Sequence, residues 1–170
     1  MESKPVSDSQ VEIAEVMQPQ HANPANNVFG GVIMSIIDNA ALIVASRHTH
    51  LNCVTASVDR LDFLSPVFIG NLVVAKSSLN YVGKTSMEIG VRVEAECLIT
   101  GKKAHVASAY LTFVALDEND KPIIVPELIL KTEEEKRRFK EGKERKEKRV
   151  KKIRNSKPQG PCIQRIDNVS

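Results

Sequence analysis

A chain of 170 residues, 42% of them apolar and none of them tryptophan, suffices for one domain whose core is packed by aliphatic side chains. Its three cysteines, Cys53, Cys97 and Cys162, are odd in number and lack metal-ligand spacing, which excludes a zinc site or a disulfide framework and reads as reduced, inert thiols of a cytoplasmic protein. The net charge of +3 conceals an asymmetry: residues 131–157 hold 14 Lys/Arg against 6 Glu, so the basic character belongs to a C-terminal segment and the rest of the chain is acidic.

The first ten residues read as a flexible N-terminus, and MESKPVSDSQVEIAEV carries no apolar run of the kind a secretion signal needs. VEIAEVM at 11–17 reads as a short strand. A Pro/Asn-rich loop, QPQHANPANN, then breaks regular structure twice and runs into FGGVIMSIIDNAALIVASRH. In that stretch Phe29, Val32, Ile33, Ile36, Ile37, Ala40 and Val44 recur at helical spacing, with further apolar residues on the other faces, so the helix should be wrapped by something. Arg47 and His48 at its end suit the helix dipole. Asp38 at its centre makes a membrane span costly, by about 2.5–3.5 kcal/mol.

From Asn52 to Leu116 the chain reads as strand. NCVTASVDRLDF alternates, with Val54, Ala56 and Val58 on one face, and LSPVFIGN turns into LVVAKSSLNYV. After Gly83-Lys84 the alternation is clearest, with Met87, Ile89, Val91, Val93, Ala95, Cys97 and Ile99 at every second position. Thr100-Gly101-Lys102 is turn-like, and KAHVASAYLTFVALD is a last long strand. Long antiparallel strands around one apolar helix predict an α+β domain over 11–130, a curved sheet wrapped on the helix. The linker KPIIVPEL leads to a charged helix over 131–155, N-capped by Thr132 with Glu133–Glu135 in its first turn. It offers almost nothing to bury and is expected to be solvated, with residues 156–170 disordered. Its basic end invites a polyanion partner, but interspersed Glu and the lack of aromatic residues argue against nucleic acid.

The run Asn23-Pro24-Ala25-Asn26-Asn27-Val28-Phe29-Gly30-Gly31, followed by Met34 and Asp38, is similar to the active-site motif of hotdog-fold acyl-CoA thioesterases, and most to the cytosolic, brain-type acyl-CoA hydrolase group. VTASVDRLDFLSPVFIGN, GKTSMEI and PELILKTEEEKRRFKEGKER extend the likeness over residues 10–145. The resemblance implies a hotdog fold and hydrolysis of acyl-CoA in fatty acid metabolism. It also implies a homodimer with sheets joined edge to edge, further assembled into a hexameric trimer of dimers. It casts Asp38 as general base or nucleophile and Asn27 as the group that positions water or thioester, contributed across a subunit boundary. No cofactor or metal is implied, since coenzyme A is part of substrate and product. Phe29 departs from the His or Gln common at its position, and Ala41 from a frequent Gly.

Read as chemistry, thioester hydrolysis needs an activated water or a carboxylate nucleophile, donors for the oxyanion and a dry acyl slot. Asp38 amid Ile36, Ile37, Ala40 and Ala41 should be buried, which would strengthen it as a base; the alternative is an interface aspartate paired with Arg47 or a strand arginine. Gly30 and Gly31 at a helix start suit an oxyanion hole at the Gly31 N–H, or simply close helix–strand packing. Asn27 could equally be the helix N-cap. Gly83, Lys84, Thr85 and Ser86 form a turn with a cation and two hydroxyls, suited to CoA phosphates, with Arg92 and then Arg137-Arg138 as weaker candidates. His21 and His48 are poor bases by position. The competing function is a non-catalytic hotdog that binds acyl-CoA or a fatty acid.

Overall fold

The computed structural model describes residues 2–155. Its main sheet has five antiparallel strands in the order β2-β4-β5-β6-β3: β2 is Val11–Val16, β3 Asn52–Phe63, β4 Asn71–Val82, β5 Ser86–Cys97 and β6 Lys103–Leu116. Helix α1, Gly30–Thr49, lies against every one of these strands. It is long and apolar enough to cross a membrane, but here one face is spent on the sheet: Ile33, Ile36, Ile37, Ala40, Ala41, Val44 and Ala45 are buried against Val73, Ile89, Val93 and Phe113. The rest of the helix, including Met34, Ser35 and Asn39, stays open in a single chain, so the expected all-round wrapping is only half supplied. The helix closes on His50 in the left-handed region (φ 55°), whose N–H returns to Ser46 O.

The alternating pattern is obeyed on β5 up to Cys97, where a turn around Gly101 (φ +68°) ends the strand and throws Ile99 out to 94% exposure. It fails on β3. Register shifts between Thr55 and Ser57 and between Val58 and Arg60 reset the faces, so Val54, Ala56 and Val58 do not share one dry side. β3 is also an edge strand, and Val54 and Val58 remain exposed in the single chain.

Two expectations about the termini need correction. Residues 4–9 are not loose. β1, Lys4–Pro5, pairs in parallel with β7, Leu128–Ile129; Val6 and Ser9 are buried, and Lys4 Nζ donates to the carbonyl of His48 at the end of α1. A backbone ladder and a buried valine outweigh the ordering entropy there. Helix α2, Glu133–Asn155, is capped as expected: Thr132 accepts from the Glu135 N–H at 3.1 Å while the Glu135 carboxylate accepts from the Thr132 N–H at 3.0 Å. It is not free in solvent, however. It lies on the outer face of the sheet, with Phe139 against Tyr81 (ring centroids 4.9 Å apart) and Arg145 in a bidentate pair with Glu88, whose side chain is only 3% exposed. Arg145 also stacks 4.0 Å above the Tyr110 ring, and Arg149 pairs with Asp59. Gly142 permits the approach, since a Cβ there would meet Tyr81 Cβ at 2.8 Å and Glu88 Oε1 at 3.0 Å. The docked face is ionic rather than apolar, which is why hydropathy gives no sign of it. The stretch 156–170, expected to be disordered, lies outside the described residues, as does Cys162.

Candidate active site

Asp38 sits two turns into α1 and is half-buried, not enclosed as its sequence neighbours imply. Ile36, Ile37, Ala40 and Ala41 point into the core from other sides of the helix, while Asp38 looks toward the start of β3. There Thr55 Oγ1 donates to Asp38 Oδ1 at 2.7 Å. The alternative partner is not used: Arg47 donates to the Gln10 carbonyl instead. One carboxylate oxygen is therefore oriented by a hydroxyl, and sequence reasoning missed Thr55 because only the fold brings position 55 against position 38.

The start of α1 supplies the donors. Its N-cap is Phe29, not Asn27, and Phe29 offers no side-chain acceptor. The Val32 N–H turns back to Phe29 O, and no acceptor from a described residue caps Gly30 or Gly31. Two uncapped N–H groups at the positive end of a helix are suited to a developing oxyanion. Beside them a groove of about 360 Å³ is lined by Asn23, Asn27, Ile33, Phe63, Leu64 and Val67, among others. Asn23 organises this loop, its Oδ1 accepting from the N–H groups of Ala25 (2.9 Å) and Asn27 (3.1 Å).

The expected residues do not converge within one chain. Gly30 and Asp38 are eight residues apart, about 12 Å along the helix. Asn23, Asn27 and Gly30 lie at the Phe63–Phe68 end of the sheet, where Asn27 bridges Phe68. The turn 83–86 lies at the other end: Thr55 pairs with Phe113 and Phe113 with Met87, which places Met87, at the end of that turn, on Asp38's side, about 10 Å from Thr55 across two strand spacings. Within that turn Lys84 is exposed, whereas Gly83 is covered by Lys146 of α2, whose ammonium would meet a Cβ there at 2.1 Å. Arg92 is remote from all of these. It stands between Val91 and Val93 on the outer face, where it and Lys76 flank Glu94 and hold that carboxyl down to about 2. Arg92, Arg137 and Arg138 line a separate hollow of about 550 Å³ under α2. No group of three His, Cys, Asp or Glu suited to a metal occurs among the described residues.

Neither histidine of the sequence reading reaches the site. His21 Nδ1 accepts from Gln18 N–H in a tight turn. His48 is 1% exposed, with Nε2 on the Pro126 carbonyl at 2.9 Å and Nδ1 unpartnered, and burial pushes its pKa below the ordinary 6.5. A histidine whose folded pKa is depressed contributes stability that is complete above about pH 6.5 and is lost as the pH falls through the folded value. Urea midpoints are therefore expected to fall from pH 7.5 to pH 5, and His48→Gln is expected to flatten that slope; equal slopes would exclude His48 as its source. Cys53 is buried and its thiol is pushed up, whereas hydrogen bonds from Thr100 pull the Cys97 thiol down.

One long helix seated on a five-stranded antiparallel sheet, with a carboxylate on its open side and uncapped amides at its start, defines a hotdog domain built for acyl transfer to water. The thioesterase superfamily model matches residues 25–99. An uncharacterized acyl-CoA thioester hydrolase of Bacillus subtilis is 45% identical over 134 residues, 79% of this chain and 74% of that one. The rat cytosolic acyl coenzyme A thioester hydrolase is 38% identical over 84% of this chain, which spans 38% of that longer protein. The crystal structure of an apo hexameric acyl-CoA thioesterase superposes with a TM-score of 0.87 at 35% identity, covering 92% of this chain and all of the other. The chain belongs to the thioesterase superfamily, in its acyl-CoA hydrolase branch. The Staphylococcus aureus acyl-CoA hydrolase, solved with butyryl coenzyme A, coenzyme A and coenzyme A disulfide, has a TM-score of 0.81 at 33% identity and covers 91% of this chain and 94% of that one. Its alanine variants were made at an asparagine, an aspartate 15 residues later and a threonine 17 residues after that. Asn23, Asp38 and Thr55 stand at those spacings here. Asn23 was within reach of sequence reasoning, four places before Asn27 in the same motif.

Proposed function

We propose that the chain hydrolyses acyl-CoA thioesters to carboxylic acid and CoA at sites shared between two subunits. The observation that carries this is the Thr55–Asp38 hydrogen bond on the open face of α1, beside an unpaired edge strand and opposite in position to the amide donors. Asp38 takes a proton from a water that attacks the thioester carbonyl, or attacks the carbonyl directly. The oxyanion is received by the Gly31 N–H, the C–S bond breaks, and the thiolate takes up the proton that water gave Asp38 or one from solvent; after direct attack, water then hydrolyses the acyl anhydride on Asp38 to the free acid. A carboxamide from the 23–27 loop of the second subunit orients water or thioester. Its groove position and spacing support Asn23 for that task, with Asn27 beside it. Lys84, Thr85 and Ser86 meet the CoA phosphates near Asp38's end of the sheet.

A homodimer joined along β3, and three such dimers in a hexamer as in the hexameric relative, complete the reading. The chain works in the cytoplasm, as the name of the rat relative states of that protein, and uses no cofactor. Thiol release from a panel of acyl-CoAs tests the activity, and its absence at every chain length, with CoA still bound, would favour the non-catalytic binder. Mixing tests the shared site. Asp38→Ala and Asn23→Ala chains, each inactive alone, should recover about a quarter of wild-type activity after random re-pairing, because the mixed dimer keeps one intact site. No recovery would place both groups in one subunit.

A further inference from the structure

Each glycine that opens α1 is covered by an aromatic ring. A Cβ on Gly31 would lie 2.4 Å from Cε1 of Phe29, and a Cβ on Gly30 would lie 3.6 Å from Cζ of Phe63. Both rings are more than half exposed in the single chain, Phe29 at 59% and Phe63 at 52%. Stability does not account for Phe29. Its ring forgoes much of the gain from burial, and it fills an N-cap position where Ser, Thr, Asn or Asp would add a capping bond.

Recognition of a ligand does account for it. The ring is an apolar plate laid beside two N–H donors that no described residue satisfies. A carbonyl carbon whose oxygen rests on the Gly31 N–H carries its alkyl substituent within reach of that plate. Phe63, Ile33, Leu64 and Val67 continue the apolar surface from Gly30 into the adjoining groove. We propose that Phe29 is a specificity-determining residue: its ring narrows the passage by which the alkyl chain leaves the thioester for the groove beyond, and so disfavours long acyl chains. This rests on the reading of the chain as an acyl-CoA hydrolase.

The two directions of substitution should have opposite effects. For Phe29→Ala, the ratio of kcat/KM for palmitoyl-CoA to that for acetyl-CoA is expected to rise about tenfold, since a hydrophobic wall discriminates at that scale. For Phe29→Trp the ratio is expected to fall. Ile99→Ala, at the exposed far hairpin, should leave it unchanged. Thermal unfolding serves as the control for folding, and the exposed ring should move it little. Ratios within twofold of wild type in both Phe29 variants would overturn the proposal, as would a shift in the same direction in both. Fluorescence titration of Asp38→Asn protein, with and without each Phe29 change, against the same acyl-CoAs reads chain-length selection without turnover. If wild type released no thiol, the hydrolase reading would fall while this titration still decided the role of Phe29.

Discussion

Asp38→Asn is expected to lower kcat for acyl-CoA hydrolysis by about 10²–10⁴-fold with little change in KM. Asparagine keeps an oxygen to accept from Thr55, so the local geometry and the melting temperature should be preserved while the base is removed. Steady-state thiol release across an acyl-CoA series reads this directly, and wild-type rates in the variant would remove Asp38 from the chemistry. Thr55→Val acts one step further out. It frees the carboxylate to rotate but leaves its charge, so it should cost less than the loss of Asp38 and should appear in kcat before KM.

Arg145→Ala is expected to cost about 3–5 kcal/mol of stability, the largest effect of any surface-element substitution in this chain. The loss comes less from the missing attraction than from what stays behind: a Glu88 carboxylate almost wholly out of water, with the Asn80 amide at 3.2 Å the one donor left to it among the described residues. Replacing both partners together, as Glu88→Leu with Arg145→Leu, removes the stranded charge and should recover most of the loss. Urea denaturation measures both, and hydrogen exchange along 133–152 reports whether α2 has left the sheet. A single-variant loss below about 1 kcal/mol would mean that α2 is held chiefly by its other contacts, Phe139 on Tyr81, Arg138 on Ser78 and Arg149 on Asp59.

Much of the fold was legible because its periodicities are local. The apolar stripes of α1 and β5 need only the chain's own spacing, and Thr132 with Glu135 announces a helix start. What stayed hidden depends on groups that meet across the fold. The bulges that reverse the faces of β3 are set by its pairing with β6. The docking of α2 draws on a buried ion pair, on Phe139 and Arg149, and on Gly142, which in sequence reads only as a weak point in a charged helix. In the site, Asp38 and the glycine pair stood out as a charge and a flexibility in an apolar run. Thr55 did not, since a threonine in a strand is ordinary until it touches a carboxylate 17 positions earlier. Arg92 is the converse case: its charge is visible in sequence, but the sheet face it occupies, away from the other candidates of its own chain, is not.

On the proposed reading, the separation of Asp38 from the Asn23–Gly31 segment of its own chain has a consequence for dosage. A catalyst that needs two copies appears as the square of chain abundance while copies are scarce, and in simple proportion once pairing saturates. Around that crossover a modest change in synthesis or turnover of the protein would produce a steeper change in thioester flux. The gene's expression level would then act as a gain control without any dedicated regulatory site.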